Sequence, residues 1–92
     1  MSHNWVHDQE LQRFRVALEP GYEAIVQYQL VDGVAYVTST RVPDELQGKG
    51  YGKVMMEAVL PEFDRLKWKI VPKCSYVKHY LDRHAEWQHL VF

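Results

Sequence analysis

The chain has 92 residues, 47% of them apolar, a formal net charge of −1 and one cysteine. That length holds one small domain, residues 1–92, in which every apolar stripe is needed for the core. The near-neutral charge argues against a general nucleic-acid or anionic-membrane binder, and a single cysteine excludes an internal disulfide and fits a reducing, cytoplasmic setting. No apolar run reaches the roughly 18 residues needed to span a bilayer. The start, Met1-Ser2-His3-Asn4-Trp5, lacks the charged and apolar regions of a secretory leader.

Residues 13 to 18 alternate, with Phe14, Val16 and Leu18 on one face and Arg13, Arg15 and Ala17 on the other, which predicts a strand. Pro20-Gly21 predicts a turn. Residues 22 to 31 alternate again through Tyr22, Ala24, Val26, Tyr28 and Leu30. Asp32-Gly33 is a hairpin signal, and Val34 to Val42 reads as the partner strand.

The next segment, Gln47-Gly48-Lys49-Gly50-Tyr51-Gly52, alternates three glycines between a strand and a helix start. Glycine lets a backbone approach closely, and the first amides of a helix point outward without partners, so this turn predicts a phosphate cradle. A tight turn without a ligand is the alternative. After Gly52, Met55, Met56, Val59, Leu60, Phe63 and Leu66 recur at helical spacing, with Pro61 predicting a kink or break. Lys69 to Pro72 reads as a short strand, and Ser75 as the N-cap of a helix carrying Val77, Tyr80, Leu81 and His84. Leu90-Val91-Phe92 reads as a last edge strand. The order β-β-β-α-β-α, with a strand piece at each end, implies an α+β fold with helices packed on one mixed sheet.

Two segments in this order resemble the GNAT acetyltransferase superfamily, specifically its short stand-alone members. Residues Arg41 to Gly52 are similar to its acetyl-CoA loop, with Gln47, Gly50 and Gly52 at the defining positions. Val71 to Trp87 is similar to the Pro-x-Cys-x-aromatic segment of the short members and the helix after it. Together they cover roughly residues 36 to 87. The resemblance implies a mainly antiparallel mixed sheet that splays open near Val42, with the loop leading into one helix and a second helix C-terminal to it. It implies pantetheine bonded to backbone around Arg41 and Val42, and pyrophosphate on the amides of Gly48, Lys49, Gly50, Tyr51 and Gly52. It implies acetyl transfer to an unknown amine acceptor, by a monomer or homodimer; a coenzyme A-binding module with little turnover is the alternative. Larger members carry more chain before the hairpin, which helps to build the acceptor site.

Cys74 falls at the junction of strand and helix, beside Lys73, where a helix N-terminus lowers a thiol pKa. It is a candidate acetyl-accepting nucleophile, with a pocket-lining or core cysteine as the alternatives. Tyr80, six residues on, matches the tyrosine with which the family protonates the leaving thiolate; a core tyrosine is the equal alternative, and Tyr76 is a weaker candidate. His3 and His7 have i, i+4 spacing without a helix signal, His79 and His84 are five apart, and no carboxylate pair converges on them, so no metal site is expected. Lys67, Lys69, Lys73, Lys78 and Arg83 form either a solvated face or a contact for a 3′-phosphate.

Overall fold

The computed structural model describes residues 4–92; His3 lies outside them. Five strands stand in sequence order: β1 (Trp5–Asp8), β2 (Arg13–Glu19), β3 (Tyr22–Val31), β4 (Val34–Arg41) and β5 (Lys69–Pro72). The first four are antiparallel neighbours and β5 runs parallel to β4. Helix α1 (Tyr51–Arg65) connects β4 to β5, and α2 (Ser75–Arg83) follows β5. This is the expected α+β arrangement. No helix among the described residues is long and apolar enough to cross a membrane.

The alternation in β2 and β3 sets the layering. Phe14, Val16, Ala24 and Val26 are fully buried, and they join Met55, Met56, Val59, Phe63, Val77 and Leu81 of the two helices in one cluster. Both helices therefore pack on the same face of the sheet. The opposite face carries the alternate residues, including Arg13, Arg15, Ile25, Gln27, Ser39 and Arg41, which pair in register across β2, β3 and β4. Asp32 and Gly33 both take positive φ, 51° and 78°, the conformation a two-residue hairpin turn requires.

Three elements differ from expectation. Helix α1 runs unbroken through Pro61. Pro61 is exposed, and so is Glu57, whose carbonyl loses its amide partner to the proline and is left to solvent. Cys74, not Ser75, is the N-cap of α2: its backbone is extended (φ −76°, ψ 128°) and Ser75 is the first helical residue. The chain tail forms a 3₁₀ segment, Ala85–Leu90, and only Val91 bridges Ile70, with the Phe92 amide bonding the Ile70 carbonyl at 3.0 Å. The helical segment takes in Leu90 and buries it, so that residue is not part of a strand.

At the end of the core farthest from the glycine loop, His7 stacks on Phe14 (centroids 4.0 Å) and its Nε2 lies 2.7 Å from the Tyr28 hydroxyl. Asp8 from β1 and Glu62 and Arg65 from α1 supply the charges around it. Burial lowers the imidazole from its ordinary 6.5, outweighing the raising effect of Glu62. The unfolded chain therefore takes up this proton first as pH falls, and stability declines through the window below 6.5. Glu62, held below 4.5 by its hydrogen bonds to Arg65, adds a loss at lower pH. We expect the melting temperature to fall between about pH 7 and about pH 5, with a flatter profile in His7→Gln. Parallel profiles for the two proteins would assign the loss elsewhere.

Candidate functional site

β4 outruns its neighbour. The β4–β5 pairing ends at Val37 and Pro72, yet β4 continues to Arg41. The Val37 carbonyl accepts hydrogen bonds from the amides of both Lys73 and Cys74, at 3.0 Å each, and the chain then turns into α2. Past that point residues 38–41 have no strand partner on the β5 side among the described residues, and the first turn of α2 stands beside them. Thr40, paired with Val26, faces the helix side, and its Oγ1 lies 3.3 Å from Cys74 Sγ.

Beyond β4 a 3₁₀ turn, Asp44–Leu46, is pinned by buried Leu46. The Gln47 side-chain amide donates to the Val42 carbonyl (3.1 Å) and to Asp44 Oδ1 (3.2 Å), so this residue braces the loop. Gly48 and Gly50 both hold φ near +80°, at 83° and 82°, a conformation costly for other residues. Gly50 is the N-cap of α1. No side chain caps that terminus and its first turn carries no acid, so its outward amides keep their positive field. Space is open within 4 Å of where a Cβ at Gly48 or Gly50 would stand.

Gly52 has a different role. A Cβ there would sit 2.5 Å from the Tyr76 hydroxyl, so the missing side chain lets the first turns of α1 and α2 touch. Lys49 and Tyr51 turn toward Glu19 at the end of β2: the Tyr51 hydroxyl donates to Glu19 Oε2 at 2.5 Å, and Lys49 Nζ is 4.0 Å away. That hydrogen bond, with the carboxylate charge, raises the Tyr51 phenol and keeps it protonated.

Cys74 is half-buried. Burial of the thiol opposes ionisation, but the Thr40 hydroxyl and the amides of Val77 and Tyr76 outweigh it, and the pKa is lowered. Thr40→Val removes one of these groups at nearly constant volume. We expect alkylation of Cys74 near neutral pH to slow about three- to tenfold, an unchanged rate showing that Thr40 does not tune the thiol.

Arg41 and Val42 at the end of β4, and Gln47 to Gly52 leading into the first turn of α1, thus flank the 3₁₀ turn, and Cys74 stands beside Thr40 on the same stretch of β4. Tyr80 sits deeper. It is 6% exposed in the shared core and stacks on His84 at 3.8 Å, with its ring centre 6.4 Å from that of Tyr76. Burial raises the Tyr80 phenol above 10.0. His79 and Lys73 are exposed, and Lys78 pairs with Asp82. Thr40, Glu19 and the Tyr76–Gly52 contact had no sequence motif to announce them. Each depends on register or on a contact between distant segments.

The family model described as GCN5-related N-acetyl-transferase matches residues 13–90. The solution NMR structure of a GCN5-like protein from Staphylococcus aureus is similar to this chain, with a TM-score of 0.69 and 29% identity. That similarity covers 88% of this chain and 81% of the other. No curated protein matches the sequence. With a family match from β2 to the last 3₁₀ segment, and a sheet that opens beside a glycine loop, the chain belongs to the GCN5-related N-acetyltransferase family.

Proposed function

We propose that this protein binds acetyl-CoA in the cleft between β4 and α2 and transfers the acetyl group to an amine. The observation that carries the reading is the uncapped start of α1, set behind two left-handed glycines and open to solvent. Backbone amides on a helix dipole suit a pyrophosphate, and Gly48 and Gly50 leave room for it. The β5-facing edge of residues 38–41 extends past the last β5 pair, which suits the amide-bearing arm of the cofactor, bonded around Arg41 and Val42.

Bound acetyl-CoA supplies an activated acetyl thioester. The chain's own groups then do two things. Thr40 and the first turn of α2 lower the pKa of the Cys74 thiol, the direction that favours a nucleophile in a covalent route. Tyr80, kept protonated by burial, holds a proton for the departing thiolate, whether Cys74 or the amine attacks the thioester. A reducing, cytoplasmic setting fits a thiol in this role.

The test is calorimetric titration with acetyl-CoA followed by intact mass. Saturable binding, with an added acetyl mass lost in Cys74→Ala, supports the covalent route. Binding without that mass leaves direct transfer or a coenzyme A module. No binding by folded protein rejects the reading. A coenzyme A module without turnover is the second reading, favoured by a sheet face on which neither helix packs; binding with no product across an amine panel selects it.

A further inference from the structure

The face of the sheet away from the helices carries a depression of about 690 Å³ at the open end, lined by Ile25, Gln27, Ser39, Thr40, Arg41 and Asp44. Thr40 links it to the thiol, since the same residue contacts Cys74 Sγ at 3.3 Å. Past the last β5 pair the β5-facing edge of β4 carries no strand partner among the described residues, so the depression and the thiol flank the same short stretch of β4.

Two charged residues line the depression, Arg41 and Asp44. Arg15, in register with Ile25 and Arg41, pairs with Glu23 at 3.6 Å. Among the described residues neither Arg41 nor Asp44 belongs to an ion pair, although they line the same depression and carry opposite charges. Asp44 Oδ1 accepts from Gln47, which fixes the carboxylate and leaves Oδ2 open. Ile25, Gln27 and Ser39 complete the lining, with Ser39 Oγ donating to Gln27 Oε1 at 2.9 Å. A cation and an anion lining one depression, neither of them in an ion pair among the described residues, match a ligand carrying both charges. An acidic polymer would need a row of unpaired cations, and the Arg15–Glu23 pair interrupts one.

We infer that the acceptor is a small zwitterionic amine of the amino-acid class, its carboxylate on Arg41 and its ammonium on Asp44. This rests on the acetyl-transfer reading. The nitrogen loses one proton to solvent and attacks the acetyl carbonyl carbon. The N–C bond forms as the C–S bond breaks, and the nitrogen's second proton balances the one the departing sulfur takes up.

The test uses matched acceptors: an amino acid, its amide and its decarboxylated amine, with the acetyl-CoA-saturated protein. We expect kcat/KM at least about tenfold higher for the amino acid, a carboxylate on a guanidinium being a strong discriminator. Arg41→Gln brings the three to within about twofold, and Asp44→Asn lowers all three. Chemical-shift titration of the protein with the same molecules, without acetyl-CoA, is expected to move Gln27, Ser39 and Arg41 amides for the amino acid at lower concentration than for the amine. Equal turnover of the three, or equal or absent shifts, overturns the inference. Acetyl-CoA binding is measured separately by calorimetry: its loss rejects the proposed function, whereas its retention with no amino-acid preference rejects only the acceptor class.

Discussion

Gly50→Val is expected to weaken acetyl-CoA binding by about 100-fold or more while leaving the protein folded. Gly50 holds φ at 82°, which costs a β-branched residue at least about 1–2 kcal/mol. Nothing stands within 4 Å of the new Cβ, so the fold itself has room for it. That same space lies over the first amides of α1, where the proposed pyrophosphate sits. The penalty thus falls twice, on the turn and on the ligand. Gly33→Val is the control: Gly33 has a similar φ, 78°, in a hairpin turn at the other end of β4. It should lose comparable stability and keep its affinity. Calorimetry on both variants, each shown folded by circular dichroism, separates strain from steric exclusion. Full affinity in Gly50→Val would remove the phosphate cradle from the argument.

The largest stability effect is expected from Phe63→Ala, at about 3–5 kcal/mol. Phe63 is 1% exposed and meets Phe14 edge-on at 5.1 Å, Tyr28 at 5.9 Å and Trp68 at 6.0 Å. It is therefore the point where α1, β2, β3 and the residue before β5 share one contact. A domain of this size has only about 5–15 kcal/mol in all, and here the apolar core lies on one side of the sheet. The variant is expected to lose at least about a fifth of its stability and to be largely unfolded if the total is near the low end. Leu30→Ala, at a position 37% exposed, should cost under about 1 kcal/mol. Urea unfolding of both measures the difference; similar midpoints would show that the aromatic cluster is not the centre of the core.

Much of this was legible in the sequence because it is local. Alternation in residues 13 to 28 told which side chains go inward, although Leu30, on the same predicted face, is exposed, and Asp32-Gly33 announced its own turn geometry. The glycine loop could be read as a helix start because a bare N-terminus is a property of the backbone alone. What was not legible depends on distant partners. Pro61 breaks a helix when the lost hydrogen bond is buried, and burial is a tertiary fact; here it faces solvent. Cys74 takes the cap from Ser75 because its amide is already committed to Val37 on β4. Tyr80 fits its helical stripe and its family position equally well, and its burial suits both a core residue and a protonated acid.

The register of β3 against β4 shifts between Gln27 and Tyr28: Tyr28 faces Val37, but Gln27 faces Ser39, which leaves Thr38 as an extra residue. In a regular strand Ser39 would point to the helix side and Thr40 away from it. The single supernumerary residue reverses that parity for everything downstream. It hands the thiol a threonine hydroxyl and sends the Arg41 guanidinium to the opposite side of the sheet. One inserted amino acid therefore divides the end of β4 between two chemistries, a thiol with a lowered pKa on one side and a receptive cation on the other.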